Sequence, residues 1–426
     1  MKKVFETPDN GNYFFGYYDK SPLDVENQKL LACRSNFFHR MPASDDVLEI
    51  GYFDWKISDK FHKLADTRAW NWQQGCMLQW LGPLYQGKII YNDRIDGRFV
   101  AIILDVVTNT KVQLPMAYYS ASTKGDFVLC IDNERHAWYR GAYSYMGIQN
   151  ESKRKDYMEN DGVWRIDVST NNLEQIITLK QLVENKKLSN MESAVHYVEH
   201  LMVAPDNKRF VFMHRWKTED SGIYSRLYTA NIDGSELYLL NDSGRMSHYC
   251  WRNSNEIVGW GGISNPINSL RKYKAIVKFF VKPLLPLYKK IAGGNSVDGN
   301  TLFSSMVSGD SYIVFTDKTS IKERLPVSIL SKDGHPSFLS QNKNLMVTDT
   351  YPDLNNDCKE TLLLYDLAKR TSVVIDTLNH NNELARGGSR CDLHPKCSTV
   401  GGYVSIDTLN DGYRAMYLYK VEGKGV

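Results

Sequence analysis

The apolar and polar positions of the chain follow one repeated pattern. A short apolar run, often ending in Asp or Arg, is followed by a loop and then by two further apolar runs joined by a turn. Short apolar runs bounded by turn residues are typical of β-strands. The most recognisable run, which we take as the second strand of each unit, occurs at residues 30–34, 89–93, 127–132, 210–215, 257–260, 345–349 and 403–407. The chain therefore contains seven copies of one unit.

The other strands of the unit can be placed around this run. Third strands are predicted at residues 50–54, 100–105, 163–167, 227–231 and 362–366. Four strands in each unit, repeated about every 60 residues, predict an all-β fold, a seven-bladed β-propeller of four-stranded antiparallel blades formed by residues 1–426 as one domain. Six or eight blades are the alternatives, because residues 264–300 interrupt one unit. The last run, 416–419, either completes the last blade alone or pairs with the N-terminus to close the ring.

Residues 264–300 differ from the repeated unit. Apolar residues recur there at helical spacing, and the opposite face is basic, which predicts a basic amphipathic helix inserted in one blade. The basic residues are Arg271, Lys272, Lys274, Lys278 and Lys282. Such a helix either packs on its own blade or lies on an anionic membrane surface. Peripheral membrane contact through residues 270–290 is therefore one expectation for this segment.

Composition narrows the function classes. The 52 basic and 49 acidic residues give a net charge of only +3, which argues against a general nucleic-acid binder. The N-terminus is basic but has no apolar run of signal-peptide length, so we expect a cytoplasmic protein, membrane-associated only through the basic segment. The seven cysteines form no CxxC pair, which favours reduced thiols over disulfides or structural zinc.

Histidines recur at the channel-lining position of the repeated unit. The first strand of each propeller blade lines the central channel, so polar residues ahead of the second strands converge on one axis. Four successive blades each place a histidine there, namely His200, His248, His335 and His394. Buried imidazoles need partners, and four together suit metal coordination or proton transfer. We predict that these side chains share one pocket at one end of the channel.

Further residues near this end suit an acidic, hydroxyl-rich ligand. Arginines present forked donors to a carboxylate, while aromatic rings and amides contact sugar faces and hydroxyls. The candidate ligand-binding residues are Tyr18, Trp70, Trp72, Gln73, Gln74, His214, Arg215 and Arg390. The tryptophans equally suit a buried patch beside the channel.

Short motifs between residues 196 and 412 resemble a known family. They are His214 followed by Arg226-Leu227-Tyr228, the triplet Ser247-His248-Tyr249, the isolated His335, and Cys391-x-x-His394-Pro395-Lys396. With these motifs the chain resembles the oligogalacturonate lyase group of propeller polysaccharide lyases.

The resemblance implies a role for several of these residues. It makes Arg226 the proton-abstracting base, and His335 and His394 ligands of a divalent metal, which by the resemblance is manganese. Where the family has Gln and a third His, this chain has Cys391 and Lys396. Asp392 or His248 would then complete the ligand set.

Together these residues predict a carbohydrate-active enzyme whose partner is an acidic, uronate-containing glycan. The reaction we expect is β-elimination by a lyase, which must neutralise the carboxylate and remove the C5 proton. The candidate catalytic residues are Arg215, Arg226, His200 and His248. One alternative is a glycoside hydrolase, which needs two carboxyls among Asp19, Asp333 and Asp392. The other is a non-catalytic propeller that binds a glycan or a protein partner in polysaccharide synthesis or signalling.

Overall fold

Seven four-stranded antiparallel sheets form the protein, and the predicted seven-bladed β-propeller is confirmed. The structure is a computed structural model that describes residues 1–148, 150–153, 158–263, 309–326 and 329–421. The predicted basic helix at residues 264–300 lies outside the described residues, so its membrane contact stays a prediction.

The strands of the described residues are numbered in chain order, and each blade uses consecutive strands except the last. Blade 1 contains β2 (Asn12–Phe14), β3 (Lys29–Ser35), β4 (Leu48–Asp54) and β5 (Phe61–Thr67); blade 2, β6 (Gln79–Trp80), β7 (Lys88–Ile95), β8 (Arg98–Asp105) and β9 (Lys111–Leu114); blade 3, β10 (Tyr118–Ala121), β11 (Phe127–Cys130), β12 (Gly162–Asp167) and β13 (Leu173–Thr178); blade 4, β14 (Val195–Val203), β15 (Arg209–Lys217), β16 (Ile223–Asn231) and β17 (Tyr238–Gly244).

The remaining blades follow the same rule. Blade 5 contains β18 (Met246–Trp251), β19 (Glu256–Gly262), β20 (Asp310–Thr316) and β21 (Lys322–Arg324); blade 6, β22 (Ser337–Phe338), β23 (Leu345–Asp349), β24 (Lys359–Asp366) and β25 (Thr371–Asn379); blade 7, β26 (Lys396–Cys397), β27 (Tyr403–Thr408), β28 (Ala415–Lys420) and, from the other end of the chain, β1 (Lys2–Glu6).

The ring closes by pairing the two ends of the chain. Strand β1 lies antiparallel to β28 as the outermost strand of blade 7, with Lys2 opposite Lys420 and Glu6 opposite Tyr417. Beyond the strand, Thr7 N donates to Met416 O at 3.1 Å, and Met416 N donates to Thr7 Oγ1 at 3.0 Å. Of the two closures that the sequence allowed, the structure has the pairing with the N-terminus.

Packing between blades explains why the middle strands are apolar on both faces. In β11 all four residues are buried, because blades 2 and 4 cover the two faces of blade 3. Leu129 of blade 3 and Phe212 of blade 4 belong to one continuous core cluster. The outermost strand β25 is largely exposed instead. All seven cysteines are described and unpaired, as the sequence predicts.

Helices are short and lie in the connections. The helix α1 (Asn133–His136) belongs to the connection between β11 and β12, and α2 (Leu179–Glu184) links blade 3 to blade 4. A capping box between Thr178 and Gln181 begins α2. No helix within the described ranges is long and apolar enough to cross a membrane.

The antiparallel strand order gives the two ends of the channel different connections. The end at which first strands begin also receives the connections between second and third strands, and we call it the upper mouth. The longest described connection there, between β11 and β12, carries α1 and several aromatic and basic residues. It brings side chains from outside the repeated unit to the top of the channel.

Candidate functional site

Four imidazoles lie together at the upper mouth. His200 is on β14 and His248 on β18, whereas His335 and His394 lie two residues before β22 and β26 begin. Neighbouring ring centroids are 6.0 Å apart for His200 and His248, 4.1 Å for His248 and His335, and 4.2 Å for His335 and His394. All four side chains are buried. The predicted convergence of these histidines is confirmed, and we call them the imidazole cluster.

Two members of the cluster have an unusual backbone conformation. The φ angles of His200 and His394 are +57° and +45°, in the left-handed region that non-glycine residues seldom adopt. At His200 the register of β14 shifts between Glu199 and Met202, so a β-bulge re-aims the side chain. Strain of this kind concentrates at functional sites.

A backbone carbonyl fixes the tautomer of His394, and a carboxyl group lies beside Nδ1 of His335. The Nδ1 atom of His335 lies 2.9 Å from the Asp349 carboxylate, and Nδ1 of His394 donates to Gly16 O at 3.0 Å. Asp349 also accepts the backbone N–H groups of both histidines, at 2.7 and 3.0 Å. A neutral imidazole with a donating Nδ1 keeps a lone pair on Nε2. The Nε2 of His394 is buried and has no hydrogen-bond partner among the described residues.

A carboxylate also lies beside Nδ1 of His248. Its Nδ1 lies 3.3 Å from Asp333 Oδ1 and 3.0 Å from Ser247 Oγ. Burial opposes ionisation of Asp333, but the neighbouring His248 lowers the pKa of this carboxyl below its ordinary value. Burial also holds the pKa values of His335 and His394 well below those of free histidine. These two rings are therefore neutral near pH 7 and available as ligands or bases.

A group of metal-ligand type lies within the cluster. One donor atom from each of His335, Asp392 and His394 lies within 4.8 Å of the other two, and all three residues are buried. Arg390 Nη2 holds Asp392 Oδ2 at 2.7 Å and orients the carboxylate. Two neutral imidazoles, one with an unpartnered Nε2, and a fixed carboxylate suit a divalent transition-metal ion. The residues present therefore fit the metal that the sequence led us to expect.

Cys391 and Lys396 stand where the family motif has Gln and His, and the surroundings of the two residues differ. Lys396 is 1% exposed, and its Nζ lies 3.1 Å from Asp407 Oδ1, so it forms a buried ion pair. Burial raises the pKa of the Cys391 thiol to about 12. A protonated thiol and an ion-paired ammonium are not metal ligands. Asp392 thus stands as the third candidate ligand, as the sequence allowed.

Arginines and tyrosines surround the top of the cluster, and we call Arg140, Arg215, Arg390, Tyr143 and Tyr351 the basic rim. Arg140 Nε lies 2.9 Å from Glu199 Oε2, and Arg215 pairs with the other oxygen of that carboxylate. Arg140 lies over Tyr143 and Arg390 over Tyr351, at 4.3 and 4.7 Å.

The charges of the rim depend on Glu199. Burial opposes ionisation of this carboxyl, but Arg140 and Arg215 hold its pKa well below the usual range.

Sequence reasoning missed Arg140 and Tyr143, which lie in the unrepeated connection between β11 and β12, and it missed Glu199 in mid-strand. The Tyr-Arg-Gly-Ala-Tyr run at 139–143 was the available signal.

Several predicted ligand-binding residues are instead buried supports. The Trp70 indole N–H donates to Asp46 O at 3.0 Å, and that of Trp72 donates to Arg40 O at 2.6 Å. Both rings are at most 2% exposed, so they offer no open stacking face. The expectation that they stack on a sugar is wrong, and the buried-patch alternative holds.

The side chains of Gln73, Gln74 and Tyr18 also form hydrogen bonds within the protein. Gln73 Nε2 donates to Arg390 O at 2.9 Å, and Gln74 Nε2 donates to the hydroxyl of Tyr119 at 2.6 Å. The Tyr18 ring packs 5.2 Å from His335, and its hydroxyl donates to Tyr249 O at 2.9 Å. Tyr18 therefore packs against the imidazole cluster, Gln73 holds the backbone of the rim residue Arg390, and Gln74 holds the hydroxyl of Tyr119.

His214 and Arg226 lie in a second cluster. His214 Nε2 is 2.9 Å from His196 Nδ1, and the Arg226 guanidinium donates to the carbonyls of Asn185 and Lys186 at 3.0 and 2.8 Å. Arg226 is 1% exposed. None of these contacts involves the imidazole cluster. Arg226 thus holds the backbone of residues 185–186 in place. Neither Arg226 nor His214 lies in the predicted pocket.

Solved structures of two other proteins share the fold of this chain. An oligogalacturonate lyase in complex with manganese is 15% identical, with a TM-score of 0.62, over 98% of this chain and 92% of that one. The oligogalacturonate lyase from Vibrio parahaemolyticus is 12% identical, with a TM-score of 0.57, over the same shares. At such identities the likeness concerns the fold. The sequence matches no family model and no curated protein.

Proposed function

We propose that the protein is a lyase that cleaves an acidic, uronate-containing oligosaccharide by β-elimination at the upper mouth. The observation that carries the proposal is the convergence of four imidazoles beneath a ring of arginines. Elimination needs positive charge at the uronate carboxylate and a neutral base near C5. The basic rim offers the charge, and the neutral imidazoles offer proton acceptors.

The rim arginines would bind the carboxylate. Arg140 and Arg215 share one buried carboxylate, Glu199, and so keep net positive charge. Their side chains are 21% and 14% exposed, which leaves part of each guanidinium open to the mouth. Forked donors orient a carboxylate in one plane, and this fixes the position of the neighbouring C5 atom.

His335, His394 and Asp392 would hold a divalent metal. When bound, the ion would add positive charge that stabilises the carbanion formed at C5. Asp349, Gly16 and Arg390 fix the orientations of these three side chains, which is how outer partners tune a metal site. Manganese in one structural neighbour supports this assignment.

The base belongs to the imidazole cluster in this proposal. Burial lowers the pKa of His200 to about 4, so its ring is neutral at physiological pH. The resemblance implies Arg226 as the base, but both terminal nitrogens of its guanidinium donate hydrogen bonds to backbone carbonyls.

The deciding experiment is an assay of the purified protein for unsaturated uronate. Oligogalacturonate is incubated with enzyme treated with chelator, and then with added Mn²⁺, and ultraviolet absorbance of the new double bond is followed. We expect absorbance to rise with Mn²⁺ and to stay flat in a His335→Ala/His394→Ala double variant. New reducing ends without absorbance would indicate a hydrolase. Binding of the oligosaccharide without either product would indicate a non-catalytic propeller.

A further inference from the structure

Both ring nitrogens of His200 have partners of a particular kind. Nδ1 makes a short hydrogen bond with the hydroxyl of Tyr17 and also lies 3.3 Å from the hydroxyl of Tyr119, whereas Nε2 lies 3.3 Å from Glu199 Oε1. The rings of Tyr17 and His200 are stacked, with centroids 5.2 Å apart and an interplanar angle of 13°. His200 therefore has the Glu199 carboxylate beside Nε2 and the Tyr17 hydroxyl closest to Nδ1.

The charges of the surroundings set the direction of proton movement between these groups. Two arginines pair with Glu199, so the carboxylate is ionised and attracts the proton of His200 Nε2. The lone pair of His200 then lies on Nδ1, where it accepts the hydroxyl proton of Tyr17. The order matches the carboxylate, histidine and hydroxyl of a serine-protease triad, with a phenol as the last member.

Tyr17 connects His200 and Glu199 to the candidate metal ligands. Its ring meets His394 edge to face with centroids 5.4 Å apart, whereas His200 lies on its flat side. The segment that carries Tyr17 is held in place, because Asp407 accepts the backbone N–H groups of Phe15 and Gly16 at 3.1 and 2.9 Å. The Tyr17 ring is thus held between His200 and His394, one of the candidate metal ligands.

We propose that Glu199, His200 and Tyr17 form a proton relay in which the hydroxyl oxygen of Tyr17 exchanges the proton with the substrate. This inference rests on the proposed function and names the residues that perform its chemical step. Glu199 is a positioning residue, because it acts on the substrate only through His200.

The step balances within these groups. The C5–H bond breaks as its proton moves to the Tyr17 oxygen, while the Tyr17 proton moves to His200 Nδ1. The electron pair at C5 forms the C4=C5 double bond, and the bond from C4 to the bridging oxygen breaks. The imidazolium of His200 is stabilised by Glu199. Its extra proton then returns through Tyr17 to the leaving oxygen, which departs as a hydroxyl.

Steady-state kinetics on oligogalacturonate test the relay. Tyr17→Phe keeps the ring and removes the hydroxyl, so we expect kcat to fall by roughly 100-fold or more while KM changes by less than about threefold. His200→Gln should show the same split. The matched control is Tyr145→Phe, which removes another buried hydroxyl, one bound to Asn92 Nδ2 at 2.8 Å and outside the site. Its kcat should stay within about twofold of wild type.

Two further readouts separate a relay from a structural role. Nitrogen-15 NMR of the wild type should show His200 protonated at Nε2, and Glu199→Gln should shift the population toward Nδ1. A substrate deuterated at C5 should give a larger isotope effect in Tyr17→Phe, because proton removal becomes slower. If Tyr17→Phe does not fold, the kcat of His200→Gln decides.

The possible failures are distinguishable. An active wild type whose Tyr17→Phe or His200→Gln variant keeps kcat within about threefold would overturn the relay and leave the lyase function standing. Wild-type His200 protonated at Nδ1 would also overturn the relay. A wild type that binds oligogalacturonate but releases no unsaturated product would overturn the proposed function and the relay with it.

Discussion

Arg390 and Asp392 form a two-point ion pair at the upper mouth, in which two nitrogens of the guanidinium face the two oxygens of the carboxylate. The pair is largely shielded, with side-chain exposures of 18% and 1%. Asp392 is also a candidate metal ligand, so one arginine both belongs to the rim and orients the metal group. This coupling gives the first prediction.

Arg390→Lys should weaken metal binding although the charge is kept. Lysine cannot hold both oxygens of Asp392, so the carboxylate loses its orientation, and Mn²⁺ affinity should fall roughly 10- to 100-fold. Isothermal titration with Mn²⁺ alone measures this. Arg34→Lys is the matched control, because Arg34 pairs with Glu49 across β3 and β4 and lies over Phe61, all within blade 1. Equal affinities in wild type and Arg390→Lys would contradict the prediction.

His394→Ala should remove a ligand outright. Its Nε2 is buried and has no hydrogen-bond partner among the described residues, so we expect stoichiometric Mn²⁺ binding to be lost. Metal content after dialysis, determined by mass spectrometry, checks this. His62→Ala, which changes a half-exposed histidine on blade 1, should retain the ion. Retention of one tightly bound Mn²⁺ by His394→Ala would exclude this group as the site.

Arg226→Lys should affect stability more than catalysis. The change removes at least one of two hydrogen bonds to the 185–186 carbonyls, and we expect the free energy of unfolding to fall by about 1–3 kcal/mol. Urea denaturation gives this value, and kcat should remain within about threefold of wild type. Arg98→Lys on the exposed end of β8 serves as control. A large loss of kcat at unchanged stability would restore Arg226 as the base.

His200 should make stability depend on pH. Its folded-state pKa of about 4 lies below the ordinary 6.5, because burial disfavours the charged ring. The unfolded chain therefore binds the proton first, and the stabilisation present above pH 6.5 is lost as pH falls toward 4. Between pH 7.5 and 4.5 the wild type should lose about 2.5 kcal/mol more than His200→Gln. Chemical denaturation at both values measures the difference, and parallel losses would refute it.

The blades and the imidazole cluster were predictable because they repeat. Each second strand shows the same apolar run, and each histidine occupies the same place in its unit, so the closed ring brings distant residues together. His214 and Arg226 show the limit of motif matching. They lie on second and third strands, β15 and β16, whereas first strands line the channel.

Other parts of the site could not be predicted from periodicity. Arg140 and Tyr143 lie in the long connection between β11 and β12, which does not follow the repeated unit, so the other units do not indicate where these side chains go. The pairing of Arg215 with Glu199 depends on cross-strand geometry beside a bulge. Trp70 and Trp72 look like exposed ligand platforms in sequence, but Asp46 and Arg40 from a neighbouring connection satisfy their indole N–H groups.

The pairing of β1 with β28 has a consequence for biosynthesis. The ribosome makes residues 2–6 first, yet their partner strand, 415–420, emerges only after nearly the whole chain has been translated. During that interval the last blade cannot form, and the strands already made expose unpaired edges that invite association with other nascent chains. Synthesis of residues 415–420 is thus the event that allows the ring to close.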